Sequence, residues 1–213
     1  MVRVMIWFTA DEHYNHENII KYCNRPFKDA QEMNDALIRN HNRVVNGGDV
    51  VYHLGDFVMG DEDSARHIIS QLNGRHVFIR GSHDKWLGEL HHGIYELRID
   101  ATDARHIDGT DIPNVITLCH YAMRMWHKSH YGSIHLFGHS HGRLEPMGRQ
   151  MDVGVDCWNF YPVSLEQVIK IMTHRIPFDA EAKCYHSDGK MAELNETKED
   201  KDDETKEGQS GHF

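Results

Sequence analysis

An α/β fold is predicted by three features of this 213-residue sequence. Strand-like and helix-like segments alternate in its first part, short strand-like segments follow, and ligand-type side chains come directly after the strands. Residues 2–9 (VRVMIWFT) are rich in β-branched and aromatic side chains and predict a buried strand that runs into a loop at Asp11. Over residues 29–45 the apolar Met33, Leu37, Ile38 and Val44 recur at helical spacing. Asp29 and Glu32 suit a capping box for this helix, and Gly47-Gly48 would stop it. Residues 50–54 (VVYHL) predict a second strand, and residues 61–72 a second helix on Ala65, Ile68, Ile69 and Leu72. Residues 76–80 (HVFIR) complete the alternation, which predicts βαβ units on a parallel sheet. Beyond Gly93 the pattern changes to short strands at 94–99, 115–119, 134–137 and 151–155. One more helix is expected at 164–174, where Ser164 and Gln167 fit a capping box and Leu165, Val168, Ile169 and Met172 make an apolar face.

The organisation read from this pattern is one domain, residues 1–187, and a tail, residues 188–213. Residues 188–207 carry nine acids against four lysines with almost no apolar content, a composition expected to be disordered. Hydrophobic residues at 39% and charged residues at 26% are ordinary for a soluble protein. No apolar run approaches the length of a membrane span, so no membrane partner is expected. Residues 1–8 are too short for a signal sequence, and a cytoplasmic location is expected. Cys23, Cys119, Cys157 and Cys184 form no CxxC pair, which argues against a zinc knuckle or a disulfide framework and for reduced thiols. A net charge of −10 argues against generic polyanion binding. The unusual count is 19 histidines, which points to metal chemistry.

The placement of Asp and His is more informative than their number. Asp11-Glu12-His13 follows the first strand, Gly55-Asp56 the second, and Gly81-Ser82-His83-Asp84 the third. Cys119-His120 and Gly138-His139-Ser140-His141 end later strands. Loops at the carboxyl ends of strands are where sites assemble in α/β sheets, so all five segments can converge on one crevice. Nitrogen and carboxylate donors suit Zn, Mn or Fe, and Asp11 with His13, or His139 with His141, can point the same way in an extended segment. Gly55, Gly81 and Gly138 would let the backbone turn closely beside the ligands.

Taken in order, the five segments resemble the signature of the calcineurin-like metallophosphoesterases: DxH, then GD, then GNHD or GNHE, then H, then GHxH. The resemblance covers residues 8–163, and residues 18–27 (NIIKYCNRPF) and 151–165 (MDVGVDCWNFYPVSL) resemble its small bacterial and phage branch. It implies a four-layer αββα sandwich and two divalent ions, Mn, Zn, Fe or Ni. By the same resemblance Asp11, His13 and His141 would bind the first ion, Asp56 would bridge both, and His120 and His139 would bind the second. Ser82 stands where the family has an asparagine ligand, His83 would be the catalytic histidine, and Asp84 its orienting partner. His16, Arg25, Arg124 and Trp158 are candidate substrate contacts, because guanidinium forks match phosphate and aromatic faces stack on bases. His53 reads as a core or supporting histidine, Glu12 as pointing away from the ligands, and His91, His92, His127, His130 and His135 as surface residues.

The implied activity is a metal-dependent phosphoric ester hydrolase, a phosphodiesterase acting on small or nucleotide-like esters. Residues 55–60 read GDFVMG where Ser/Thr protein phosphatases carry GDxxDRG, which lowers that reading. A nuclease of the same superfamily would want a basic groove that the composition does not advertise. A non-catalytic scaffold on this fold would be expected to lose the histidine that this chain keeps at position 83.

Overall fold

The computed structural model describes residues 4–88, 91, 93–99 and 114–175. Strand β1 (Ile6–Thr9) leads through α1 (Glu17–Tyr22) and α2 (Ala30–Val44) to β2 (Val50–His53), and α3 (Glu62–Ile69) leads to β3 (Arg75–Phe78). Strands β4 (Ile94–Arg98), β5 (Val115–Cys119), β6 (Ile134–Phe137), β7 (Gln150–Asp152) and β8 (Val163–Ser164) follow, and α4 (Leu165–Thr173) closes the series. Asp29 caps α2 by accepting the Glu32 amide at 2.8 Å, but the Glu32 carboxylate takes the Lys28 amide instead of completing a box. The α4 box is complete: Ser164 accepts the Gln167 amide, and the Gln167 side chain accepts the Ser164 amide. Helix α1, six residues long, is too short to announce itself by periodicity.

The strands form two four-stranded sheets, ordered β3-β2-β1-β8 and β4-β5-β6-β7. The expectation of parallel βαβ pairing holds for β1 with β2 and β2 with β3, while β8 joins β1 antiparallel. In the second sheet β5, β6 and β7 are parallel and β4 is antiparallel, so both sheets are mixed. One hydrophobic cluster takes Phe8 and Tyr52 from the first sheet, Leu118, Leu136 and Met151 from the second, and Val168, Ile169 and Met172 from α4. The two sheets therefore share a core. A second cluster joins Ile19 and Ile20 of α1, Met33 and Leu37 of α2, and Ala65 and Ile68 of α3, with Phe78 of β3 packed against it.

Burial corrects one surface assignment. His135 lies in β6, whose four residues are all buried, and its ring meets the Thr117 carbonyl at 3.0 Å and the Met123 amide at 3.1 Å. Both faces of that strand are covered, so its alternate residue has no water to face. His91, His127 and His130 are exposed as expected, while His92, Cys184 and the tail expected after Ser187 lie outside the described residues. Among the described residues no helix is long and apolar enough to cross a membrane.

Candidate metal centre

Backbone hydrogen bonding continues past the strand ends and brings the loops together. The Asp11 and His13 amides donate to the Gly55 and Asp56 carbonyls at 3.0 and 2.9 Å, and the Gly138 amide donates to the His120 carbonyl at 3.0 Å. The Val155 amide donates to the Ala10 carbonyl at 3.0 Å, which adds the loop after β7. Five of the convergent residues take left-handed backbone conformations: Asp11 (φ 57°), His13 (φ 53°), Asp56 (φ 57°), His139 (φ 66°) and His141 (φ 48°). Each such turn costs an L-residue of order 1–3 kcal/mol, a strain that tends to cluster at functional sites. Gly138 is required by close approach, since a Cβ there would lie 2.6 Å from Ala10 Cβ and 2.8 Å from Asp11 Oδ2.

Among the described residues three groups of donors result: Cys23, His141 and Asp156, which shares His141 with a neighbouring group, and the two that face each other, Asp11, His13 and His141, and Asp56, His120 and His139. Asp56 stands between them, its Oδ2 lying 3.7 Å from His13 Nε2 and 3.4 Å from His120 Nε2. Both of these Nε2 atoms are buried without a hydrogen-bond partner. Leaving such atoms bare in a buried site is costly, and a cation between them and the carboxylate removes the cost. Donors on one ion, each about 2.0–2.2 Å from it, stand at the kind of separation seen here. The residues fit a pair of divalent ions.

Two of these histidines have an orienting partner on the far side. His120 Nδ1 meets the Leu54 carbonyl at 2.8 Å and His141 Nδ1 the Asp156 carboxylate at 2.7 Å, which leaves each Nε2 for the site. Burial pushes the Asp11 carboxyl up to about 7, against the pull of His141 and His120. Burial likewise drives His13 down to about 2, so its ring stays neutral and available as a ligand. Burial opposes ionisation of Asp56 too, yet His120, the His83 amide and His13 outweigh it and hold this carboxyl below its ordinary range.

The remaining candidates separate into those that face the site and those that hold it. His83 is exposed, with its Nε2 4.0 Å from Asp56 Oδ2, and half-buried His16 brings its Nδ1 to 3.3 Å from His13 Nδ1. Ser82 is exposed, and its hydroxyl donates to the Asp56 carboxylate at 3.1–3.2 Å. Asp84 is not the partner of His83. Its buried carboxylate accepts the amides of Asp56 (2.7 Å), Gly81 (2.8 Å) and Phe57 (2.9 Å), and the Trp86 indole N–H at 3.1 Å. Those four donors fill the acceptor sites that His83 would have used.

Arg25 is also a support and not a substrate contact. Only 5% exposed, it clasps Asp156 with two bonds of 2.8 and 2.7 Å and donates to the Asp11 and Glu12 carbonyls at 2.7 and 2.9 Å. Trp158 donates its indole N–H to the Asp152 carbonyl at 2.9 Å and packs against the inter-sheet core. Arg124 is exposed on the loop after β5. Asp156 escaped the sequence reading because it stands in none of the five segments; its signal was a second Asp four residues after Asp152, beyond β7.

No family model matches the chain. An uncharacterized protein of Methanocaldococcus jannaschii, MJ1445, is 36% identical to it over 177 residues, covering 78% of this chain and 90% of that protein. The chain belongs to the family of MJ1445. Among solved structures it is similar to a protein of unknown function from Aquifex aeolicus, AQ665, with a TM-score of 0.57 at 20% identity. That likeness covers 79% of this chain and all of the other, and it shows a shared fold.

Behind the ligands runs a buried polar row. Glu12 does point away from the ligands: its Oε1 is 2.5 Å from His53 Nδ1, and His53 Nε2 is 2.9 Å from His76 Nδ1. Burial pushes Glu12 up to about 8 and His53 down to about 3, which favours the uncharged form of each. A depressed imidazole pKa means that the ring resists protonation as pH falls. A ¹⁵N histidine titration of the metal-free protein should therefore show His53 still neutral at pH 5, where exposed histidines are mostly charged. A His53 midpoint near 6.5 would contradict this environment.

Proposed function

We propose that the chain is a dinuclear-metal phosphoesterase of the calcineurin-like type, built on the four-layer αββα sandwich, and that it hydrolyses small or nucleotide-like phosphodiesters in the cytoplasm. The observation that carries this reading is the Asp56 carboxylate between two buried, unpartnered imidazole nitrogens, at 3.7 Å from His13 and 3.4 Å from His120. Asp11, His13 and His141 would hold one ion, His120 and His139 the other, and Asp56 both. A carboxylate suits the shared position because its negative charge and two oxygens join cations that otherwise repel. When bound, two divalent ions supply an acidified water as nucleophile and positive charge against the phosphate oxygens.

The chain's own groups do the rest. His83 Nε2, exposed and 4.0 Å from Asp56 Oδ2, is the atom that donates a proton to the leaving oxygen. Its backbone amide meanwhile donates to Asp56 Oδ1 at 2.8 Å, so the same residue steadies the bridging carboxylate. His16 lies beside both His13 and His83, with ring centroids 5.2 and 5.8 Å away, and offers a second imidazole to a phosphate oxygen.

Hydrolysis of a panel of mono- and diesters by metal-stripped protein resupplied with Mn, Zn, Fe, Ni or Mg tests the activity, and no turnover with any of them would reject it. Asp56→Asn should lose most bound metal and nearly all turnover, because an amide has no charge to set between two cations. Elemental analysis that finds two ions per chain in a folded, active Asp56→Asn protein would refute the bridge. His83→Ala should keep its metal while kcat falls by about 10²–10⁴, with a smaller deficit for esters of good leaving groups. An equal deficit across leaving groups would remove His83 from the proton transfer.

A further inference from the structure

The residue after His120 has no part in the metal groups or in either hydrophobic cluster. Tyr121 directly follows β5, and its ring centroid lies 4.8 Å from those of both His120 and His139, in T-shaped contacts of 74° and 66°. It remains 47% exposed, and His139 beside it is exposed as well. A large aromatic ring is thus held in a fixed orientation at the open edge of the Asp56–His120–His139 group, with nearly half its surface in water. Contact with two site histidines fixes the ring as a packed neighbour would, while the exposed remainder keeps apolar area available to a ligand.

We propose that Tyr121 forms a stacking subsite for the nucleobase of a nucleotide-type substrate whose phosphate is held at the metal groups. This rests on the phosphoesterase reading and deepens it by naming the substituent that the site prefers. A phosphate held by a cation at Asp56, His120 and His139 would turn its ester substituents to the open side, where the Tyr121 ring stands. Base–aromatic stacking is tolerant of base identity, because every base presents a π-face, so the subsite would select nucleotides over sugar phosphates without distinguishing strongly among bases. The phenol oxygen is not required for stacking.

The test is isothermal titration calorimetry of Mn²⁺-loaded protein with AMP and with ribose 5-phosphate, which share phosphate and sugar and differ in the base. The parent should bind AMP about tenfold more tightly than ribose 5-phosphate. In Tyr121→Leu the ratio of the two affinities should fall to about one, and in Tyr121→Phe it should stay near the parent value. A parent ratio near one, or a ratio that persists in Tyr121→Leu, overturns the subsite while leaving the metal-centre reading intact. A Tyr121→Leu protein that weakens both ligands by the same factor also overturns it, since the ring would then serve only to place His120 and His139. A parent that binds neither ligand overturns the phosphate site on which the inference stands.

Discussion

The buried carboxylate of Asp84 ties the loop after β2 to the loop after β3, and the position of Asp56 depends on that tie. Its two oxygens accept the amides of Asp56, Phe57 and Gly81 as well as the Trp86 indole. Bonds to a charged acceptor are stronger than neutral ones, and a buried carboxylate without them would be heavily penalised. Once the two loops are joined, Ser82 and the His83 amide reach the Asp56 carboxylate, and the carboxylate faces His13 and His120. Arg25 performs the corresponding task on the other side, joining the Asp11–Glu12 turn to Asp156 and, through Asp156, to His141.

This arrangement gathers costs that the fold meets elsewhere. Five left-handed non-glycine residues, a buried Asp11 carboxyl and two bare imidazole nitrogens occupy one crevice. The inter-sheet core and the helix-side core supply rigid walls for it, because both sheets and all three of the helices α1, α2 and α3 pack behind the loops that carry these groups. A protein with no use for the crevice would gain by replacing its buried polar atoms with hydrocarbon. Positive charge between the two donor groups is the condition under which Asp11 ionises readily and the bare nitrogens find a partner.

Most of the donor set was legible in the sequence because strand, turn and ligand follow one another in the chain, and chain order is what a sequence displays. Asp11, His13 and His141 gather in one donor group and Asp56, His120 and His139 in another. What the sequence does not display is direction. Asp84 follows His83 immediately, yet its side chain turns inward to four N–H donors, a consequence of how β2 and β3 lie side by side. Arg25 reads as a candidate substrate contact because the sequence does not show its partner, Asp156, which is 131 residues away. His135 read as a surface residue because alternation signals exposure only when one face of a sheet meets water, and β6 is covered on both. Helical and strand periodicity located the elements other than α1 and β8, while the antiparallel pairing of the edges β4 and β8 was set by tertiary contacts alone.

The central claim is that two cations share the Asp56 carboxylate. Anomalous scattering from crystals of the Mn²⁺-loaded protein tests it directly, because it locates the ions without relying on turnover. The account predicts two peaks about 3.5–4 Å apart with Asp56 between them, one against Asp11, His13 and His141 and one against His120 and His139. A single peak, or an ion seated instead among Cys23, His141 and Asp156, would contradict it.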